Sequence, residues 1–421
     1  AKLSAYAHID LAVLNQYEAT DINRSGVAVE LVDQTTGFTL QTGTTDTTGK
    51  FTFTYGLSTS RSYKVKATTP TDLQVVYNYQ NTNLLGTTQD TITLGTYVKP
   101  ETIVRFGYRS STPLALTGDV KWATATGVTL ALENVKMKLM SGTTVLSEKT
   151  TDSTGRVSFD DSEGLIIGDS YKLVVDKAHT PNLFIGLAAS DNLLDSTSQS
   201  PINDEITISA LANNQNGTFV YGKDPAAPVA GLKAYTHLDI APLGAFSTLD
   251  QAYPAISVQL KDVATGLVVD TGTTNAQGLF TFTQGLASGR AYEVEATTPT
   301  GLTLTYSYRD TSLATLGQTI TVPSLTNNQL VRYGYRSNQP ITLNLDTVLD
   351  VNGNRVLTDS TDIGIANVKA TLSYNGVVIA TKTTDSTGNI KFTEADGVIP
   401  GWDYVVTLDA TSQGIAGMIA N

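Results

Sequence analysis

Cysteine is absent from these 421 residues, and only two tryptophans and three methionines occur. Without cysteine there can be no disulfide staple, thiolate metal site or thiol nucleophile. Charge is scarce too. Charged residues make up 16% of the chain, and 39 acidic side chains outnumber 27 basic ones, for a net charge of −12. Such a balance supplies no Lys/Arg-rich surface for nucleic acid. No apolar run nears the ~20 residues that span a bilayer, so no membrane span is expected. No basic-then-apolar leader opens the chain and no lipid or sorting signal closes it, so Ala1 reads as a mature start. There is no G-x-S-x-G elbow, no phosphate-cradling glycine loop and a supply of only three histidines. Hydrolytic and nucleotide chemistry therefore lack their usual parts, and the chain is expected not to be an enzyme. Val, Ile, Leu, Phe and Tyr are abundant, enough to pack cores and to exclude global disorder.

The chain repeats itself. A-Y-A-H-I-D at 5–10 returns as A-Y-T-H-L-D at 234–239, an offset of 229. F-T-F-T at 51–54 returns at 280–283, and R-F-G-Y-R-S at 105–110 returns as R-Y-G-Y-R-S at 332–337. Each half is itself double. T-T-D-T-T-G-K-F-T-F (44–53) is echoed at 150–159, 273–282 and 383–392. Four modules follow, in an A-B-A-B arrangement: 1–110, 111–228, 229–337 and 338–421. Their sizes suit single domains.

Within a module the period is two. Val27, Val29 and Leu31 alternate with Ala28, Glu30 and Val32, and Tyr63, Val65 and Ala67 alternate with Lys64 and Lys66. Alternation puts one face on a core and the other in water. Turn residues such as Thr36-Gly37, Asp46 to Gly49 and Pro70 punctuate the runs. The expected fold class is all-β, with each module a two-sheet sandwich.

The order G-V-x-V-x-L, a T-G hairpin, T-T-D-x-x-G-x-F-x-F, Y-x-V and a late F-G-Y resembles the Cna-B and SdrD-B type repeats of bacterial surface proteins. Gly26–Leu31, Thr44–Phe53, Tyr63–Val65 and Phe106–Tyr108 carry the match in module one. Ala255–Leu260, Thr273–Phe282, Tyr292–Val294 and Tyr333–Tyr335 carry it in module three. Modules two and four match at Thr150–Phe159 with Tyr171–Val175 and at Thr383–Phe392 with Tyr404–Val406. The resemblance implies a prealbumin-like, immunoglobulin-like sandwich. It implies stalk, spacer or fibre work outside the cell. A Lys–Asn cross-link of the Cna-B type would draw on Lys136, Lys138 or Lys369, but the late acidic segment of that pattern is missing, and solvated surface lysines are the expectation. An SdrD-B-like loop implies Ca²⁺ as the candidate ion, with no cofactor required. Its best match is Asp346, Asp350, Asn352, Asn354, Asp359 and Asp362 in module four, where Asp and Asn oxygens cluster around Gly353. The bland alternative is an Asx-rich turn. Asp10, Asp21 and Asn23, and Asp239 and Asp250, are weaker versions. His8 with Asp10, and His237 with Asp239, share a strand face at i and i+2, a geometry open to a metal or a hydrogen-bonded pair.

The second half of the chain is 37 residues shorter than the first, and the shortfall lies in module four. A sandwich lacking its last one or two strands leaves an edge open to strand addition. A neighbouring copy would complete it and give a head-to-tail homopolymer. The alternating run Leu3, Ala5, Ala7, Ile9 and Leu11 is the candidate donor, and Ile415, Met418 and Ile419 lie at the candidate acceptor. Residues 232–240 have the same character yet open module three, so the N-terminal run has an alternative home in module one. The favoured function is a non-enzymatic, extracellular subunit of a cell-surface fibre, pilus-like filament or surface layer. The alternative is an adhesin stalk or module array with a host or carbohydrate ligand.

Overall fold

The computed structural model describes all residues except 1, 12–13, 87, 97–100, 228–229, 241–242, 315, 357–359, 401, 417 and 419–421. The chain is almost wholly β, with three short 3-10 turns among the described residues. It divides into two compact units. One comprises 1–123, 129–184 and 188–222, and the other 124–128, 185–187 and 223–421. Among the described residues the sheets fall into four groups along the chain, and no sheet joins one group to another.

The first group sets the plan. One sheet runs Ile22–Asn23, Lys2–Ile9, Glu101–Ser110, Leu73–Gln80, Asn83–Leu85, and Lys50–Phe53 also pairs with Lys2–Ile9. The facing sheet runs Thr39–Thr44, Ala28–Asp33, Ser62–Ala67, Thr91–Thr96. Lys2–Ile9 lies parallel to Glu101–Ser110, in register from Lys2↔Glu101 to Ile9↔Tyr108. Its alternate residues Leu3, Ala5, Ala7 and Ile9 point between the sheets with Val29, Leu31 and Phe106. Burying each of these larger side chains contributes about 1.5–3 kcal/mol. The second and third groups repeat the plan strand for strand.

Two local devices recur in all four groups. The T-T-D/N-x-x-G hairpin closes on a side chain: Asp46 Oδ1 accepts from Thr48 N at 2.8 Å and from Lys50 N at 3.1 Å. Asp152, Asn275 and Asp385 do the same. Gly49 ends this turn at φ +67°, and a Cβ there would lie 2.5 Å from the Ala7 carbonyl oxygen. Only glycine meets both demands. The second device is a tyrosine corner. Tyr63 Oη donates to Gly56 O and accepts from Ser58 N. Tyr171 does so with Gly164 and Ile166, Tyr292 with Gly285 and Ala287, and Tyr404 with Gly397 and Ile399. Tyrosine suits the position because its ring is buried while its hydroxyl fastens two backbone groups.

The fourth group departs from the plan. Its described strands form Thr342–Asp346 with Asn389–Thr393, Val348–Leu349 with Ile363–Gly364, and Val377–Thr383, Lys369–Tyr374, Val405–Leu408. Among the described residues it has no counterpart of Leu187–Leu194, Thr197–Ser198, Glu205–Ile208 or Gln215–Lys223 in the second group. The gap is thus four strands, larger than the one or two expected from length. Counterpart side chains report it: Val175 is 4% exposed, whereas Leu408, at the same register position, is 40% exposed.

Candidate functional site

The N-terminal run proposed as a donor is already in use. Leu3, Ala5 and Ala7 are at most 1% exposed, and Ile9 and Leu11 are buried with them in the first group's own core. The strand is paired on both edges, to Glu101–Ser110 on one side and to Ile22–Asn23 and Lys50–Phe53 on the other. This corrects the donor assignment: the alternation serves the strand's own sandwich. At the other end, Ile415 and Met418 sit in successive turns, with Ile415 N donating to Ser412 O and Met418 N to Ile415 O. Ser412 Oγ accepts from Lys369 N at 2.9 Å, so this tail packs beside a strand without extending a sheet. Ile419 lies outside the described residues. Among the described residues the open edge is instead that of Val405–Leu408, where Val405 is 64% exposed.

The module-four loop folds on itself. Asp350 Oδ1 accepts from Gly353 N at 2.7 Å and Asn354 N at 3.2 Å, and Oδ2 accepts from Arg355 N at 3.0 Å. Asn352 and Asn354 cap backbone N–H groups in the same way. Asp346 is exposed at the end of its strand, opposite Asn389. Asp359 lies outside the described residues. Asp362 carries a buried Oδ1 with no hydrogen-bond partner. Among the described residues, no three His, Asp or Glu side chains gather as a metal site. Lys136 and Lys138 face carboxylates, Lys138 reaching Asp176 at 2.8 Å and Lys136 pairing with Glu148.

In the first group, and separately in the third, the acidic loop is brought into a buried network of its own, by partners the sequence reading did not name. Asp10 does not pair with His8. The strand ends at Ile9, and Asp10 turns to Arg109 of the neighbouring strand at 2.5 Å. Asp21 accepts from Leu11 N at 3.0 Å, Glu18 N at 3.2 Å and Tyr77 Oη at 2.6 Å. In the third group Asp239 pairs with Arg336 at 2.6 Å, Asp250 accepts from Ile240 N and Tyr306 Oη, and Tyr306 also meets His237 Nε2. Burial raises Asp21 and Asp250 above the usual carboxylate range. Burial first, and Arg105 second, hold His8 down at about 4. The F-G-Y motif explains the fit. A Cβ on Gly107 would lie 2.2 Å from the Tyr77 ring, and one on Gly334 would lie 2.3 Å from Tyr306. The repeated R-x-G-Y-R signal thus held both the arginine and the glycine of this network.

Each unit also repeats one junction. In the first, Gly164 at φ +86° packs on Leu11, its Cβ position 2.8 Å from Leu11 Cδ2, and Arg24 reaches Asp169 at 3.0 Å. In the second, Gly397 at φ +87° packs on Ile240, and the counterparts of Arg24 and Asp169 are Tyr253 and Trp402, stacked at 5.8 Å. The tyrosine corner presents the glycine in both cases. A loop from the A group therefore docks on the corner of the B group that follows it.

What fold, corner and junction define is a class: tandem two-sheet β-sandwich repeats. The chain is similar to serine-aspartate repeat-containing protein D of Staphylococcus aureus (strain MW2), 29% identical over 401 residues, covering 88% of this chain and 27% of that protein. It is also similar to serine-aspartate repeat-containing protein F of Staphylococcus epidermidis (strain ATCC 12228 / FDA PCI 1200), 28% identical over 272 residues, covering 63% and 16%. The chain spans about a quarter of the first relative's length. These matches bear out the resemblance to SdrD-B and Cna-B type repeats. No family model matches the chain. Among solved structures, the Bacillus anthracis TIE protein matches at 15% identity and a TM-score of 0.25, covering 91% of this chain and 63% of that one. GBS52, the minor pilin of Streptococcus agalactiae, matches at 13% and 0.21, covering 54% and 98%. Among the described residues no helix is long and apolar enough to cross a membrane, which says nothing of a β-barrel.

Proposed function

We propose that the chain is a non-enzymatic structural part of a bacterial surface assembly. It works outside the cell as a row of four sandwich modules, docked in A-B pairs, within a fibre, pilus-like filament or surface layer. The fourth module accepts a strand from a neighbouring copy at its open edge. The observation that supports this reading is the counterpart exposure of Leu408 against Val175, an apolar face left without a covering strand among the described residues. The test is the assembly state of purified residues 1–421, by light scattering and electron microscopy across a concentration series. Concentration-dependent oligomers or filaments are expected. A monomer at every concentration refutes strand addition between copies.

A second reading is a stalk stiffened by Ca²⁺ at the module-four loop. The buried, unpartnered Asp362 Oδ1 favours it, since Asn352 Nδ2 bonds Thr361 Oγ1 at 3.0 Å and brings the two halves of the loop together. Asp350, Asn352 and Asp362 would hold the ion through oxygen, as a hard cation requires. Added Ca²⁺ should raise the melting temperature, and Asp362→Asn should abolish the rise. A melting temperature that Ca²⁺ leaves unmoved refutes it.

A further inference from the structure

The structure assigns a binding site for an acidic saccharide to the outer face of the first group, independent of any assembly role. A cavity of about 420 Å³ is lined by Tyr17, Tyr79, Asn81, Thr82, Ile103 and Arg105. That volume falls in the range of small-ligand sites, about 300–1,000 Å³. Two aromatic rings form its apolar wall, with Tyr17 edge-on to Tyr79 at 6.4 Å. Such rings take the C–H face of a pyranose and leave its hydroxyls free for polar partners.

The polar lining is rich in donors. The Arg105 guanidinium lies 4.3 Å from the Tyr17 ring centre, and Nη1 donates to Asn81 O at 3.0 Å. Among the described residues no carboxylate pairs with Arg105, although the chain carries a net charge of −12. Asn81 Oδ1 accepts from Ile103 N at 3.0 Å. That bond orients the amide, leaving Nδ2 as a donor with no partner among the described residues. Among the described residues no carboxylate lines the cavity. A cation held over a ring, an oriented amide donor and the Thr82 hydroxyl suit a sugar ring bearing a carboxylate. An acidic peptide would satisfy Arg105 but has no flat face for the rings.

The third group supplies a natural contrast. Its counterparts are Phe246, Tyr308, Asp310, Thr311, Leu330 and Arg332. Asp310 Oδ1 accepts from Leu330 N at 2.9 Å, as Asn81 does from Ile103, but its second atom is a carboxylate oxygen and not a donor. The tyrosine hydroxyl of Tyr17 is lost as well. An acid is therefore bound by the first copy of this face and repelled by the second.

The experiment titrates the whole chain with a tetragalacturonate, using maltotetraose and a poly-glutamate peptide as comparators, followed by calorimetry and saturation-transfer NMR. Tetragalacturonate should bind in preference to both. Arg105→Gln and the isosteric Asn81→Asp should each weaken it at least about tenfold, the scale of one lost charge-assisted hydrogen bond. Arg332→Gln should have no effect, and melting curves should show all three variants folded. Absence of tetragalacturonate binding overturns the proposal, as does equal binding of maltotetraose or tighter binding of the peptide. Unchanged affinity in folded Asn81→Asp overturns it even if Arg105→Gln fails to fold.

Discussion

Tyr77 donates its hydroxyl proton to Asp21 at 2.6 Å, across 56 residues of chain and inside the first sandwich. Gly107 makes this possible, because any side chain there would occupy the space of the Tyr77 ring. The bond fixes a loop whose backbone N–H groups at Leu11 and Glu18 use the same carboxylate. Tyr77→Phe removes the strongest neutral donor to a buried acid and should cost about 1.5–3 kcal/mol in a urea melt. Gly107→Ala should cost at least as much by displacing the ring. A Tyr77→Phe melt coincident with wild type would show that the bond adds nothing.

Acid should act through the two strand histidines. Burial, then a nearby arginine, depresses His8 to about 4 and His237 to about 3. Both values lie below the ordinary 6.5, so the unfolded chain takes up protons first as pH falls. Their stabilising contribution is whole above pH ~6.5 and is lost on the way down to those values, each by up to about 1.4 kcal/mol per pH unit. Asp21 and Asp250 run the opposite way. Their raised folded values make protonation favour the native state, which offsets part of the loss as pH falls toward the ordinary carboxylate range. The melting temperature should drop between pH 6.5 and pH 5, and the pair His8→Asn with His237→Asn should flatten that drop. An unchanged slope in the double variant would rule the histidines out.

The two junctions should differ in their response to salt. Arg24 and Asp169 are each about a third exposed, so their ion pair is worth ~1 kcal/mol at most and is screened. Tyr253 and Trp402 hold by stacking, which salt does not screen. Asp169→Asn should therefore matter only at low salt, whereas Trp402→Ala should cost about 2 kcal/mol or more at any salt. Gly164→Ala and Gly397→Ala should each cost about 1–2 kcal/mol, since both residues have positive φ and both meet an aliphatic side chain. Denaturant melts at 0 and 1 M NaCl separate these outcomes.

Removing residues 2–9 should unfold the first sandwich rather than merely block assembly. The deletion takes Leu3 and Ile9 from the core and strips one edge from Glu101–Ser110. Circular dichroism would show lost strand content, and a fully folded deletion variant would restore the donor role. Val405→Lys with Leu408→Lys should abolish self-association while leaving the main melting transition in place, because lysine on an open edge opposes strand pairing.

Much of the architecture was legible in the sequence, since repeats and period-two alternation are local signals. The T-T-D-x-x-G turn was readable for the same reason: Asp46 and Gly49 act within one hairpin. The partners of the buried acids were not. Asp10 with Asp21 and Arg105 with Arg109 could be picked out, but which acid meets which base depends on a strand end and on a parallel pairing across about a hundred residues. The same distance hid the fate of Leu3 to Leu11. Alternation shows that a strand has an apolar face but not whose core it fills.

The parallel pairing of Lys2–Ile9 with Glu101–Ser110 has a mechanical meaning. Tension drawn through the first and last strands of such a sandwich pulls them past one another lengthwise. Every rung of the ladder is then loaded together, because parallel rungs are evenly spaced along the strands. Rupture requires simultaneous shear of the whole ladder, not the bond-by-bond unzipping of a hairpin. The first three sheet groups carry this clamp. Under a pulling load they should yield last.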